Sequence, residues 1–379
     1  MRRLRVLHVT ANRWWTGSAD PALDLARSLR DRGHTVHFAC IRGDVLEGKV
    51  RAAGFPPVEV SLERTARPWR IAADVRRLRR FIGDEGIEVV HAHQSHDHWL
   101  AALALAGRGG ILVRTVHHRR AVHGGAVSRW LFRRTTGVIA VSTGIAERLA
   151  ALALAPGRVT VVAGAVDATR FAGPPDGRRV RAELGLGAGP VVGCVARLVP
   201  GRGHDVLVRA AALARARLPG LRVVLVGRGE GRPALEALVV GLGLRDSVVF
   251  AGYRGDDLAE VLAALDCFVL LGTGSEESCR AVLEAMAAGR PVVAARVGAL
   301  AETVVDGETG WLVAPEPAVV AERLAAVLAD PDAARRLGEA GRRRVEAVFT
   351  PERRAAAVEA VYARAGVRRG LFPPGDRLV

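Results

Sequence analysis

Short apolar runs alternate along this chain with longer stretches in which apolar residues recur at helical spacing. Runs at 5–9, 35–40, 89–93, 112–117, 137–142 and 159–162 read as strands, with a further strand over 58–62. Helices are predicted between them at 22–32, 68–85, 100–106 and 143–153, the last starting at a Ser/Thr cap. The second half repeats the scheme. Strands are predicted at 190–196, 221–227, 247–250, 267–271 and 292–295, with a short one inside 303–313. Helices fall at 205–218, 233–242, 257–265, 280–288, 317–328, 333–346 and 351–364. Strand and helix alternate throughout, so the expected fold is α/β, with two Rossmann-like, doubly wound parallel sheets facing each other across a cleft.

A chain of 379 residues is too long for one ordinary core. The stretch 172–189 holds Gly, Pro and charges with little periodic order, which puts the boundary near residue 185. Residues 1–185 and 186–350 are then the two domains. A helix at 351–365 is expected to pack back on the first, and 366–379 is a tail.

Half of the residues are hydrophobic, ample for two buried sheets. The net charge of +16 resembles a nucleic-acid signal, but lysine occurs once, at Lys49, among 55 basic residues. That imbalance points to a bias toward arginine codons, and no nucleic-acid partner is expected. Cys40, Cys194, Cys267 and Cys279 show neither zinc spacing nor a disulfide framework, the usage of a reduced cytoplasmic protein. No apolar run approaches the ~18 residues that span a bilayer. The basic helix 68–85, with Trp69 and Arg70, Arg76, Arg77, Arg79 and Arg80, fits either a solvated face or an interfacial membrane contact. Another basic patch, 129–134, interleaves Trp130, Leu131 and Phe132.

The candidate chemistry centres on 275–298, SEESCRAVLEAMAAGRPVVAARVG. The helix at 280–288 directs unpaired backbone N–H groups at what lies before it, a natural place for an anion. Glu276 and Glu284 bracket that start, and Glu is rarely buried without a partner. Hydroxyls on either side of a phosphate would account for both. Arg197 and Arg202 follow the second domain's first strand, at the carboxyl edge where such sheets bind ligands, and forked guanidinium groups suit a diphosphate. Gly227, Gly229, Gly252 and Tyr253 share that edge, and Gly17 and His117 would form the opposite wall. Seven of eleven histidines lie between His91 and His123. The i,i+2 pairs His91/His93 and His96/His98 could share a metal, but only Asp97 offers a carboxylate, so cleft-lining or structural histidines are the readings kept and no metal is expected.

These residues resemble the retaining glycosyltransferases of the two-Rossmann GT-B fold, family 4 or "glycosyl transferases group 1". The resemblance covers nearly the whole chain and rests on GCVARLVPGRGHDVLVRAA and on EESCRAVLEAMAAGRPVVA with its paired glutamates. It implies that Arg197 and Arg202 bind a nucleoside diphosphate, Glu284 the ribose and Glu276 the donated sugar. It also implies that Ser278, Cys279, Arg280 and Ala281 hold the sugar and distal phosphate through the backbone. Arg228 and Tyr253 would contact the base, Gly17 the diphosphate, and His117 the reacting sugar. The expected activity is transfer of a hexose from a UDP- or GDP-sugar to a glycan or lipid-linked acceptor, with retention and without metal or cofactor. The expected location is the cytoplasm, with contact to the inner face of the membrane. A non-catalytic nucleotide-sugar-binding protein and a sugar-nucleotide 2-epimerase on the same architecture are the alternatives.

Three positions depart from that family's pattern. Arg202 stands where lysine is usual, and a fork is not an ammonium. Thr16-Gly17-Ser18 replaces a double glycine. Glu277-Ser278-Cys279-Arg280 replaces a Gly-Phe-Gly-type sequence, so either the donor bears an acidic group or Arg280 pairs with Glu277.

Overall fold

The computed structural model describes residues 2–12, 19–171, 176–272 and 279–373. The chain forms two compact units, residues 1–164 with 351–379, and residues 165–350. The first unit begins β1 (Arg5–Thr10), α1 (Ala19–Asp31), β2 (Thr35–Cys40), α2 (Val45–Ala52), α3 (Pro68–Asp84), β3 (Val89–Ala92) and α4 (Ser95–Ala104). It continues with β4 (Ile111–Val116), α5 (Ala126–Arg134), β5 (Gly137–Ala140), α6 (Thr143–Ala150) and β6 (Val159–Val161). The second contains α7 (Arg178–Glu183), β7 (Val191–Val195), α8 (His204–Ala214), β8 (Arg222–Val226), α9 (Arg232–Gly241), β9 (Val248–Gly252) and α10 (Leu258–Ala263). Then come β10 (Cys267–Leu270), α11 (Cys279–Ala287), β11 (Val292–Ala295), α12 (Leu300–Thr303), β12 (Trp311–Val313), α13 (Pro317–Ala329) and α14 (Pro331–Val348). The last helix, α15 (Pro351–Arg368), returns to the first unit.

Both sheets are parallel, with six strands each among the described residues: β2-β1-β3-β4-β5-β6 and β12-β11-β10-β7-β8-β9. In the first, α1 and α15 cover one face through Leu23, Leu29, Val361 and Tyr362. Leu78 of α3, Leu100 of α4 and Leu131 of α5 share the core on the other face with Leu7 and Val90. The second sheet lies in one continuous core. Local chemistry sets several helix starts. Ser142 Oγ accepts from the Ile145 N–H ahead of α6, and the Asp330 carboxylate accepts from the Ala333 N–H ahead of α14, with Pro331 at its first position.

The strand predicted at 58–62 does not join a sheet. Pro56 and Pro57 lack N–H donors, and only an isolated bridge links Pro57 to Phe38. The segment is instead pinned to α3: the buried Asp74 carboxylate accepts from the Ser61 and Leu62 N–H groups at 3.1 Å each. The helix predicted at 100–106 begins earlier, because Gln94 and Asp97 form a capping box at the start of α4. Residues 165–185 group with the second unit and include α7. Among the described residues no helix is long and apolar enough to cross a membrane.

Candidate functional site

In the second unit the strand order reverses between β7 and β10, so the loops leaving these strands diverge and open a crevice at the carboxyl edge. The loop after β7 carries Arg197 and Arg202, and the loop after β10 leads to α11. They interlock through glycine. Gly203 has φ +76°, and a Cβ there would lie 2.5 Å from Leu271 Cβ; one on Gly272 would lie 3.5 Å from Arg202 Cα. The loop after β8 also lies against the first: the Leu198 N–H donates to Arg228 O at 3.1 Å and the Gly231 N–H to Leu198 O at 2.8 Å. A Cβ on Gly227 would fall 2.0 Å from Ala196 O, and one on Gly229 2.2 Å from Leu198 O. These two glycines therefore shape the arginine loop from behind.

Arg197 and Arg228 are exposed, and the Arg197 guanidinium lies 3.8 Å from Glu230. Arg202 is half-buried. Tyr253, 52% exposed, follows β9, whose last carbonyl, Gly252 O, accepts from the Gly227 N–H at 2.7 Å. The loops after β7, β8 and β9 are thereby tied together by main-chain bonds.

Cys279, Arg280 and Ala281 form the first described turn of α11. Beneath them the buried Glu284 accepts from Arg280 Nε at 3.1 Å, the side chains being 9% and 11% exposed. Among the described residues, Glu284 is thus the carboxylate that pairs with Arg280. Glu276, Glu277 and Ser278, and Gly17 in the first unit, lie outside the described residues.

The first sheet reverses its order between β1 and β3, and a column of imidazoles stands there. His8 pairs in register with His91, and His93 follows two residues on. The His91 and His93 rings stack with centroids 4.5 Å apart, and His93 and His117 are 5.8 Å apart. Burial drives all four well below the ordinary imidazole value, with His8 at about 3, and Arg354 and Arg114 add to the effect. They are neutral rings at pH 7. His91 Nδ1 meets Tyr362 Oη on α15 and Nε2 meets Thr115 Oγ1, both at 2.7 Å, while His8 Nδ1 faces His93 Nε2 at 3.0 Å. One ligand atom from each of His8, His91 and His93 lies within 4.8 Å of the others, but His91 could join a metal only by giving up its bond to Tyr362 or Thr115.

Beside the column, Asp97 is fully buried and burial raises it to about 6, although it accepts from the backbone of His93, Gln94 and His98. Buried Arg114 is lowered to about 10 by the same desolvation, partly offset by Asp97. His117, at the carboxyl end of β4, is 5% exposed. Its Nε2, with His93 Nδ1 and Arg114 Nη1, finds no hydrogen-bond partner among the described residues. Of the other predicted pair, His98 bonds Thr135 and packs edge-on to Phe132, away from the column. His8 and Tyr362 were not singled out from the sequence. A histidine inside the apolar run 5–9 was the one visible signal for His8, and none exists for Tyr362.

Two family models match the chain, "Glycosyltransferase Family 4" over residues 16–170 and "Glycosyl transferases group 1" over 178–344. The chain is 35% identical over 289 residues to a GDP-mannose-dependent alpha-(1-6)-phosphatidylinositol monomannoside mannosyltransferase of Mycolicibacterium smegmatis, spanning 70% of this chain and 74% of the relative. It is 43% identical over 191 residues to a D-inositol 3-phosphate glycosyltransferase of Nocardia farcinica, spanning 48% and 42%. In fold it is similar to Anabaena HepE, solved with UDP and glucose: the TM-score is 0.83 at 21% identity, covering 95% of this chain and 99% of that one.

Proposed function

The chain belongs to glycosyltransferase family 4, and from that premise we propose that it moves a hexose from a UDP- or GDP-sugar to a hydroxyl of a glycan or lipid-linked acceptor, with retention and without a metal. The observation that carries this reading is the second unit's carboxyl edge. An arginine loop held by glycines faces the start of α11, and a buried Glu284–Arg280 pair lies under that start. Arg197, Arg202 and the α11 N–H groups hold the diphosphate, and Glu284 takes the ribose hydroxyls. Glu276 and Ser278 take the sugar. Arg228 and Tyr253 meet the base, and Gly17 offers an N–H to the diphosphate.

In the transfer step the acceptor oxygen attacks the anomeric carbon on the face from which the diphosphate departs. The C–O bond to phosphate breaks, and the acceptor proton passes to the leaving phosphate oxygen. Negative charge grows on that phosphate, and fixed guanidinium and N–H donors stabilise it more in the transition state than in the ground state. His117, a neutral ring, bonds a hydroxyl of the transferred sugar. Glu276 and Glu284 position hydroxyls and need no glycosidase-like separation. The acceptor is met at the cytoplasmic face of the membrane.

The test is incubation with a panel of UDP-, GDP-, ADP- and TDP-sugars, GDP-mannose first, following release of each nucleoside diphosphate and the anomeric configuration of the product. Turnover unaffected by chelator and a retained configuration are expected. No nucleotide-induced thermal shift from any member at millimolar concentration would remove the reading.

A further inference from the structure

Among the described residues of the first unit the exposed tryptophans are Trp69 and Trp130, and half-buried Trp99 lies against the second. Trp69 is the second residue of α3, Trp99 the fifth of α4 and Trp130 the fifth of α5. These helices share a core on the same face of the parallel sheet, α3 packing on α4 and α4 on α5. Each leads into the next strand of that sheet, so their first turns all lie toward its carboxyl edge. A row of three indoles therefore rims the edge that holds His93 and His117. Trp69 is 64% exposed, Val127 63% and Trp130 39%.

Around this row arginine predominates, with Glu63 ahead of α3 paired to Arg70 at 3.7 Å. Arg67, Arg70, Arg129, Arg133 and Arg134 are exposed. The α5 sequence AVSRWLFRR contains no acid, and in α3 the Asp74 carboxylate is buried and committed to backbone N–H groups. Arg67 lies over Trp69, 6.0 Å from its centroid, and Arg134 over Trp130 at 4.1 Å.

We propose that this face, the first turns of α3, α4 and α5, docks on an anionic lipid surface, with the indoles at headgroup level and the arginines on lipid phosphates. The proposal rests on the transferase reading only in making a lipid-linked acceptor the molecule that this docking presents. Two observations favour lipid over single-stranded nucleic acid, the other polyanion that arginine and tryptophan attract. Trp130 is stacked on Trp99 at 5.5 Å and 18° and carries Arg134 over its ring, so its own faces are already occupied and successive bases could not stack along the row. Indole edges and exposed Val127 at the rim, with guanidinium groups beside them, are what an interface between water and acyl chains accommodates. Juxtamembrane arginines each add to the attraction of an anionic leaflet and are screened by salt.

The full chain is to be mixed with phosphatidylcholine vesicles with and without phosphatidylglycerol, and binding followed by sedimentation and by quenching of tryptophan emission with brominated lipid. Binding that requires phosphatidylglycerol, falls with salt and quenches the emission is expected. Trp69→Ala with Trp130→Ala should weaken it about tenfold and abolish most quenching, and Arg129→Gln with Arg133→Gln and Arg134→Gln should weaken it similarly. Circular dichroism and the nucleotide thermal shift should be unchanged in both variants. No binding to anionic vesicles, or binding indifferent to both sets of substitutions, overturns the proposal. So does tighter binding of an oligothymidine that the same substitutions abolish. A nucleotide thermal shift retained in a chain that ignores vesicles would remove this surface and leave the transferase reading intact. Vesicle binding without any nucleotide response would do the reverse.

Discussion

Arg280 Nε donates to Glu284 Oε1 at 3.1 Å, one turn apart on α11, and both side chains are almost wholly enclosed. A cation near a helix start works against the helix dipole, so the carboxylate one turn below offsets it locally. The pair also holds the Glu284 carboxylate in one orientation in the first turns of α11. Glu284→Ala is expected to weaken nucleotide binding about tenfold to hundredfold, the cost of a charged hydrogen bond. Arg280→Gln should act through Glu284, reducing affinity for UDP or GDP less than Glu284→Ala while lowering stability by about 2 kcal/mol. Calorimetric titration with each nucleotide checks both, and wild-type affinity in Glu284→Ala would displace the site from α11.

His117 ends β4 as a buried neutral ring whose Nε2 has no partner among the described residues. If that nitrogen serves the transferred sugar, His117→Ala should lower kcat about tenfold to hundredfold with little change in affinity for free nucleoside diphosphate. His117→Gln, which restores a hydrogen-bonding group, should recover part of the loss. Because the ring is uncharged throughout the neutral range, the wild-type rate should show no inflection near pH 6.5 that vanishes in His117→Gln. Equal loss of nucleotide affinity and rate would instead mean that the substitution disturbs the unit as a whole.

Most strands were legible because each is a short apolar run between polar loops, and β11 was read to the residue. Short elements without periodicity were not: α2 and α7 span too few residues for a period to show. Val58 to Leu62 has a strand's composition, yet Asp74 took its amides. Motif spacing placed Arg197, Arg202 and Glu284 at the carboxyl edge of the second sheet, and the loop after β7 and helix α11 do stand there. Among the described residues Arg280 pairs with Glu284, while Glu277, the partner expected from the sequence, lies outside them. The link from His91 to Tyr362 spans 271 positions, and only the return of α15 to the first sheet brings the two together.

Gly227 and Gly229 follow β8 at the ligand edge, and their lack of a side chain serves the neighbouring arginine loop. A methyl at Gly229 would meet the backbone oxygen of Leu198 at 2.2 Å, and a carbonyl held by the Gly231 N–H cannot rotate away cheaply. Gly229→Ala should therefore cost about 1–3 kcal/mol and loosen nucleotide binding by shifting the loop that carries Arg197. Gly241 is the control: it ends α9 with open space around it, and Gly241→Ala should be neutral or stabilising by about 0.5 kcal/mol. Urea denaturation of the two variants distinguishes them, and equal stability would mean that the two loops do not pack as described.

Acid should destabilise this chain through its buried histidines from about pH 6.5 downward. Burial lowers His8 to about 3 and His204 to about 4, against 6.5 in the unfolded chain, and His91, His93, His98 and His117 shift the same way. Above pH 6.5 these rings are neutral in both states and their burial costs no ionisation. Below it the unfolded chain takes up protons that the folded chain excludes. Each histidine then removes about 1.4 kcal/mol per pH unit until its folded value is reached. Asp97 opposes this: raised to about 6 from 3.8, it gains a proton in the folded state first and returns stability between those values. At pH 5 His8 and His204 together cost about 4 kcal/mol and Asp97 returns about 1.4, so Tm should fall steadily from pH 7 to pH 5. His204→Leu removes one such ring from a site with no partner for its Nε2, and its Tm should fall less steeply over the same range. Equal slopes in the variant and the wild type would show that His204 is not held neutral by burial.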